Sequence, residues 1–150
     1  MVETVDDLSS NGMSETDYTL EPIGVVHSPL TSRKEAPRQA DEGAPQAWLE
    51  LSDSVTEGLD GIEVGDEIIV LTWLHHAHRD VLKVHPRNRV ESSLIGVFAT
   101  RSPDRPNPVG LHRVSVLEIA GQRLRVAAME AIDGTPIVDI KAVLRNIDER

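Results

Sequence analysis

Short β-rich runs separated by turn signals are the feature that most constrains what this chain can fold into. Ile23 to His27, Ala47 to Leu51 and Ile68 to Trp73 are brief apolar or β-branched segments, and the last is the best candidate for a buried strand. Weaker strands are predicted over residues 81–84 and 94–99, and a helical turn over residues 54–59. We find no internal repeat and no stretch with the periodicity of a long amphipathic helix.

The C-terminal third shows the clearest hairpin pattern. Residues 113–119 alternate, residues 120–122 form a turn, and residues 124–132 continue the hairpin. Asp133-Gly134 is a strong turn signal, after which residues 136–143 return to an extended pattern. Many short strands with little helix predict a mainly β fold, a compact antiparallel β-barrel with a few short helices.

The domain organisation follows from composition along the chain. Residues 1–17 are polar and acidic, which predicts a disordered tail followed by one domain over residues 18–150. Residues 31–46, with two prolines and a glycine, are predicted to form a long functional loop. There is no cysteine, no secretory signal and no apolar run long enough to span a bilayer, so we expect a cytoplasmic protein without membrane contact.

Charge is unevenly distributed on this acidic chain, whose net charge is −10. Residues 1–21 carry −6 and residues 41–67 carry −9, whereas residues 75–105 carry +3 and residues 22–40 carry +2. Solvated surface charge is the plainer interpretation of the basic segment. Because phosphate contacts need only a local positive patch, the overall acidity does not exclude a nucleic-acid partner.

The segment from Phe98 to Gly110, FATRSPDRPNPVG, combines three prolines with two arginines and an asparagine. Proline fixes φ, so these prolines predict a rigid path that holds Arg101, Arg105 and Asn107 in set directions. Preorganised side chains of this kind suit a ligand site. A proline-rich crossover between two strands, with Asn107 as a turn residue, is the structural alternative.

The longer stretch Gly96 to Leu111, GVFATRSPDRPNPVGL, resembles the signature of the TsaA-like family, whose characterised members are the TrmO tRNA methyltransferases. Three further stretches are similar to motifs of that family in the right order: YTLEPIGVVHSP from Tyr18, APRQ from Ala36 and DGTPIVDIK from Asp133. The resemblance covers roughly residues 18–141. We call the Gly96–Leu111 stretch the signature.

The resemblance implies a β-barrel that binds S-adenosylmethionine without a Rossmann sheet, as a homodimer, and methylates N6 of threonylcarbamoyladenosine beside the tRNA anticodon. The nearest match to a Rossmann glycine fingerprint is Gly58, Gly61 and Gly65. These glycines neither follow a predicted strand nor open a helix, which agrees with the absence of a Rossmann sheet. Carried over residue by residue, the family's cofactor contacts match Gln39, Ala40, Asp41, His75, His76, Arg101, Leu111, Asp133, Gly134, Thr135 and Pro136. Arg101 would meet a carboxylate or a phosphate, and Gly134 would allow the backbone to approach the ligand.

The chain departs from the family pattern in three places. Lys141-Ala142-Val143 stands where a lysine, a proline and an aromatic residue are usual, and His112 stands where a small polar residue is usual. The chain also stops soon after the expected barrel, whereas longer bacterial members carry a further C-terminal domain. These departures bear on the exact substrate more than on the cofactor.

We interpret the basic segment as the contact surface for tRNA phosphates. The predicted substrate-binding residues are Arg38, Arg87, Arg89, Arg105 and Asn107, of which all but Arg38 lie in or just after the basic segment. Arg79 and Lys83 are further cations of that segment. No catalytic residue is assigned, because in-line methyl transfer depends mainly on proximity and alignment.

Two alternatives of other classes remain open. One is a regulatory module that binds S-adenosylmethionine or a nucleotide without catalysis. The other is a metalloprotein, since His75, His76, His78 and His85 lie within eleven residues and His76 and His78 would share one face of a strand. The metal alternative is the weaker, because no glutamate follows at cupin spacing, and no metal is assigned.

Overall fold

The computed structural model describes residues 18–33, 43–86 and 93–144. Within these ranges eight strands follow one another: β1 (Gly24–His27), β2 (Ala47–Leu51), β3 (Glu67–Trp73), β4 (Lys83–Val84), β5 (Ile95–Gly96), β6 (Val109–Ala120), β7 (Arg123–Val126) and β8 (Pro136–Ala142). The helices in these residues are two short 3₁₀ turns, Asp53–Leu59 and Val97–Ala99. Neither of them has the length and hydropathy needed to cross a membrane.

Six strands close into an antiparallel barrel in the order β1-β2-β7-β6-β3-β8, while β4 and β5 form a separate two-stranded sheet. Closure depends on β6, whose first half pairs with β3 and whose last residues pair with β7. The register shifts between Val116 and Glu118, and such an irregularity bends a strand so that it can leave one partner for the next. The predicted mainly β barrel fold is therefore confirmed.

Alternation along the strands builds the barrel interior. On β2, β3 and β6 every second residue is buried, as Leu49, Val70 and Val116 illustrate. Fully burying an aliphatic side chain of this size stabilises a fold by about 1.5–3 kcal/mol. The interior is aliphatic over most of its length, but among the described residues three polar side chains are also buried, those of Thr72, His112 and Thr135.

Antiparallel pairing divides the connections between two ends of the barrel. The connections β1–β2, β3–β6 and β7–β8 start and end at the upper end, because β1, β3 and β7 end there and β2, β6 and β8 begin there. Their described residues are 28–33 and 43–46, 74–86 and 93–108, and 127–135. The lower end carries the β2–β3 connection (52–66) and the tight β6–β7 turn at Gly121 and Gln122. Most of the described connecting residues therefore belong to connections of the upper end.

Several predicted strand limits change. The hairpin strand predicted over 124–132 stops at Val126, since Ala128 adopts a left-handed φ of 57° that ends the ladder. The strand predicted over 113–119 begins earlier, at Val109, so the last residues of the signature are part of β6. The weak strands over 81–84 and 94–99 shrink to two residues each, and 97–99 forms a 3₁₀ turn. The predicted tail, residues 1–17, lies outside the described residues.

Candidate functional site at the upper end of the barrel

Three described segments that carry predicted cofactor residues lie at the upper end. His75 and His76 follow the end of β3, the signature leads into the start of β6, and the Asp133–Pro136 turn leads into β8. At this end Trp73 pairs with Val109 and Thr72 pairs with both Gly110 and Ile137. Segments up to about sixty residues apart in sequence therefore become neighbours, as antiparallel closure requires.

The signature is hydrogen-bonded to the turn that follows β3. The Leu74 N–H donates to the Pro108 carbonyl (2.8 Å), and the Arg105 N–H donates to the His78 carbonyl (3.1 Å). Arg79 extends this contact: its Nε donates to the Pro106 carbonyl (2.7 Å) and its Nη2 to Asn107 Oδ1 (3.0 Å). The Arg79 guanidinium also lies over the Trp73 ring, 5.1 Å from its centroid, in a cation–π contact.

Asp104 ties a third segment to this pair. Its Oδ1 accepts the His78 N–H (2.9 Å), and its Oδ2 is 3.1 Å from Nη2 of Arg33 in the β1–β2 connection. Burial acts to raise the pKa of Asp104, but the hydrogen bonds from His78 and Arg33 outweigh it and leave the pKa below its ordinary value. Asp104 is thus held ionised where the signature, the post-β3 turn and the β1–β2 connection meet.

His75 and His76 are exposed on the post-β3 turn, with ring centroids 4.2 Å apart. Burial, and then the neighbouring His76, lower the pKa of His75 below its usual value, so His75 is neutral at pH 7. A neutral imidazole has one donor and one acceptor nitrogen, which suits a polar ligand such as an adenine or a ribose.

Arg101 and Arg105, both from the signature, have different surroundings. Arg105 is half-buried and donates to carbonyls of its own loop, from Nε to Ser102 (2.8 Å) and from Nη2 to Val97 and Thr100 (2.7 Å each). Arg101 is exposed and makes no hydrogen bond or ion pair with a residue that the structure describes. Arg105 therefore braces the loop, whereas Arg101 presents its guanidinium to solvent.

The Asp133–Pro136 turn is docked on the end of β1. The Gly134 N–H donates to the Val26 carbonyl (2.8 Å), and Asp133 Oδ1 accepts the Ser28 N–H (3.0 Å). Gly134 has a φ of +84°, which favours glycine, and the space beside it is open. Thr135 is buried and its hydroxyl donates to the Ile132 carbonyl (2.7 Å), so within this turn its side chain has a structural role.

Leu111 lies on the outer face of the barrel, 45% exposed, and pairs with Leu71 across the ladder. It is two residues into β6, just below the upper rim, where Val109 is also exposed. Leu111, the last residue of the signature, therefore lies with Val109 on the exposed outer face of the barrel.

Six predicted site residues fall in ranges that the structure does not describe. Gln39, Ala40 and Asp41 of the cofactor set and Arg38, Arg87 and Arg89 of the substrate set lie outside the described residues, and their roles stay predictions. Two grooves in the described surface, of about 460 and 230 Å³, lie at the lower end. Neither is lined by a predicted cofactor residue. The grooves therefore give no support to the upper-end site, and the case for it depends on its side chains.

The geometric basis of the metal alternative is wrong. β3 ends at Trp73, and residues 75–78 form a turn, so His76 and His78 do not share one face of a strand. Across 18–33, 43–86 and 93–144, no three histidine, aspartate or glutamate side chains gather as metal ligands would.

Two features of this end go beyond the sequence-based expectations. Phe98 is 78% exposed three residues before Arg101, an unusual position for the chain's single phenylalanine. His27 Nε2 lies 2.6 Å from Glu50 Oε1, and its Nδ1 lies 3.9 Å from Asp133. A histidine at the end of a predicted strand is the sequence signal that could have pointed to His27.

Known proteins resemble this chain over nearly its whole length. The family model of the tRNA-methyltransferase O N-terminal domain matches residues 25–149. A protein of Archaeoglobus fulgidus named S-adenosyl-L-methionine-binding protein is 44% identical over 129 residues, which are 86% of this chain and 91% of that protein. A Methanothermobacter thermautotrophicus protein, named a probable S-adenosyl-L-methionine-binding protein, is 42% identical over 136 residues, covering 91% of this chain and 97% of that one.

The similarity extends to a solved fold. The crystal structure of TrmO from Pseudomonas aeruginosa superposes with a TM-score of 0.68 at 29% identity, covering 90% of this chain and 60% of that chain. This chain thus spans about three fifths of the length of that TrmO. The similar fold and a family model that matches most of the chain lead to one conclusion: the chain belongs to the TrmO N-terminal-domain family, as its resemblance to the TsaA-like proteins predicted.

Proposed function

We propose that the chain binds S-adenosylmethionine at the upper end of its barrel and transfers the methyl group to N6 of threonylcarbamoyladenosine in tRNA. The observation that carries the proposal is that Arg101, the His75–His76 pair and the Asp133–Pro136 turn all belong to connections at the upper end of the barrel. The names of the relatives, which describe binding of this cofactor, and the tRNA methyltransferase family support it.

The side chains present fit the cofactor's chemistry. Arg101 has no partner among the described residues and can meet the carboxylate through a bidentate, charge-assisted contact. Asp133 uses one oxygen for the Ser28 N–H, which leaves the other for an amino or ribose hydroxyl donor. The open, left-handed Gly134 lets a ligand approach the backbone closely.

When bound, S-adenosylmethionine supplies a methyl group on a positively charged sulfur, which becomes a neutral thioether once a nitrogen has taken the methyl. The chain's own task is to align that nitrogen, because proximity and orientation dominate such a transfer. The bonds of Asp104 and Arg79 fix the signature relative to the post-β3 turn and so provide a rigid frame for this alignment. The N6 proton is released to water or to a nearby base.

Binding is the first test. Calorimetry with S-adenosylmethionine and S-adenosylhomocysteine should show stoichiometric binding that does not depend on added metal. Arg101→Ala should weaken it about ten- to a hundredfold, since a charge-assisted bond contributes about 1.5–3 kcal/mol. Arg123→Ala is the matched control, because Arg123 starts β7 at the lower end, over the Trp48 ring. A folded protein that binds neither ligand would refute the proposal.

Methyl transfer is the second test. Labelled cofactor is offered with tRNA that bears threonylcarbamoyladenosine, with unmodified tRNA and with a panel of small molecules. Transfer to the modified tRNA alone is expected, with affinity that falls steeply as salt rises and that drops when Arg87 and Arg89 are neutralised together. Transfer to a small molecule alone discards the tRNA, and binding without any transfer favours the regulatory module.

The homodimer is part of this proposal and is measured by multi-angle light scattering. Val109 and Leu111, exposed on the outer face of the barrel, are where apolar contact between copies is expected. A protein that scatters as a monomer at micromolar concentration contradicts it.

A further inference from the structure

A continuous hydrogen-bonded chain of three side chains runs from the barrel interior to the upper end. His112 Nε2 lies 2.8 Å from Thr72 Oγ1, and His112 Nδ1 lies 2.6 Å from Glu130 Oε1. Thr72 is fully buried, His112 is 5% exposed, and only Glu130 reaches the surface, with 18% of its side chain exposed. The proposed methyl transfer uses none of the three.

Each member comes from a different part of the upper end. Thr72 is the last buried residue of β3, just before the turn that carries His75 and His76. His112 is on β6, directly after the signature. Glu130 is in the β7–β8 connection, three residues before Asp133. The hydrogen-bonded chain therefore joins all three described segments of the proposed site from below.

The bonding requirements of the three groups are mutually satisfied. In the tautomer of His112 that carries its proton on Nδ1, Nδ1 donates to Glu130 Oε1 and Nε2 accepts the Thr72 hydroxyl. No buried side-chain nitrogen or oxygen in the part of the protein that the structure describes lacks a partner. Removing any one member would leave a buried polar atom unpaired, which is costly in a barrel interior.

Gly110, within the signature, is shaped around these side chains. A Cβ at Gly110 would overlap Thr72 Oγ1 and would lie 2.9 Å from His112 Nε2 and 3.0 Å from Leu74 Cδ2. The signature strand thus packs directly on the Thr72–His112 bond, so a displacement of either side chain moves the signature backbone.

We propose that Thr72, His112 and Glu130 are positioning residues, which hold the post-β3 turn, the signature and the Asp133 turn in the arrangement that binds the cofactor. The inference deepens the proposed function and rests on it for the identity of the ligand. The three side chains act through the residues above them and do not touch the ligand.

The decisive variant is Thr72→Val, which keeps the shape and removes the hydroxyl. The dissociation constant for S-adenosylmethionine is expected to rise about tenfold, since an unpaired buried nitrogen disturbs the bonds above it. Thr72→Ser, which restores the hydroxyl, should recover most of the affinity. If Thr72→Val binds as the wild type does, or if serine does not rescue a loss, the positioning role is overturned.

Val116→Ala is the matched control for general destabilisation. Val116 is as buried as Thr72, lies on the same strand as His112 and has an aliphatic side chain that cannot join the hydrogen-bonded chain. The variant should lower the unfolding temperature and leave the cofactor affinity unchanged. An equal loss of affinity in Val116→Ala would show that the effect of Thr72→Val is structural only, and would refute the proposal.

Amide hydrogen exchange separates this inference from the proposed function, because it needs no ligand. In Thr72→Val, and in Glu130→Ala, which removes the acceptor for His112 Nδ1, exchange should rise about tenfold in residues 74–79 and 131–135 while residues 52–66 stay unchanged. Exchange that is unchanged, or raised equally at both ends, overturns the positioning role. If the variants show the exchange effect but the wild type binds no S-adenosylmethionine, the proposed function alone is refuted.

Discussion

The two ends of the barrel use the same strands and differ in almost everything else. The lower end is closed by the tight β6–β7 turn and by a short 3₁₀ segment and its neighbour, whose Val55, Leu59 and Ile62 pack on the core. The upper end carries long connections held by side-chain bonds, among them those of Asp104, Arg79 and Arg105. Apolar packing suffices at the end that only closes the fold, whereas a site needs polar groups held in fixed directions.

Tolerance to substitution should therefore differ between the ends. At the lower end, substitutions should affect stability through packing and leave binding alone. At the upper end, one substitution should affect both, because the bonds that order the connections also hold the side chains of the proposed site. Three substitutions of decreasing expected effect test this difference.

The largest effect is expected from Gly110→Ala. The added Cβ would overlap Thr72 Oγ1 and crowd His112, and overpacking of this kind costs about 3 kcal/mol. That corresponds to a fall in the unfolding temperature of roughly 10 °C, measured by calorimetry or circular dichroism. Gly58→Ala, at the lower end and with open space around it, is the control and should be neutral or slightly stabilising. Equal responses from the two variants would contradict the difference between the ends.

An intermediate effect is expected from Asp104→Ala, which releases the post-β3 turn and Arg33 together. The loss of stability should be about 1 kcal/mol, because the partners are partly exposed and screened by solvent. The pKa of Asp104 is lowered in the folded state, so its contribution is complete above the ordinary carboxyl pKa and disappears as pH falls through the lowered value.

Acid should therefore loosen the upper end of the wild type, and Asp104→Ala should lack that part of the pH dependence. Unfolding curves recorded from neutral pH down into the acid range measure both. Identical pH profiles for the variant and the wild type would show that Asp104 does not control this end.

The smallest effect is expected from Arg113→Ala on the outer face of the barrel. Arg113 Nη2 is 2.8 Å from Glu67 Oε1, and their hydrogen bond, then their charge attraction, lowers the pKa of Glu67 and raises that of Arg113. Both groups are exposed, so salt should screen the pair and the unfolding temperature should barely move. A large loss of stability, or any loss of cofactor affinity, would contradict the expected difference between the two ends.

Much of the barrel could be predicted from the sequence because its signals are local. The short, mostly apolar run Ala47–Leu51 and the β-branched run before Trp73 predict strands close to those observed. Local signals fail where the tertiary structure determines the backbone conformation. The sequence around Ala128 does not indicate that this residue adopts a left-handed φ just after the end of β7. The prolines just before Val109 predict an irregular connection between strands. In the structure Val109 pairs with Trp73 and is the first residue of β6.

The site could be predicted in part for the same reason. The motifs identify the segments, but not which side chains are used for internal bonds: Arg105 and Arg101 are alike in sequence, and only the fold shows that the first bonds its own loop. In the sequence, His112 stands out only as a departure from a family pattern. Its role depends on Thr72 and Glu130, forty and eighteen residues away, which no local pattern relates.

The pairing of β1 with β8 also has a consequence for how the molecule comes into being. Gly24 pairs with Ile137, so the barrel closes only when strands about 110 residues apart along the chain have met, a contact of the kind that slows folding. During synthesis β8 is the last of the described strands to emerge. The Asp133–Pro136 turn leads directly into β8, so the turn is anchored only once β8 has paired. The proposed site at the upper end is therefore complete only after β8 has been synthesised and has paired with β1 and β3.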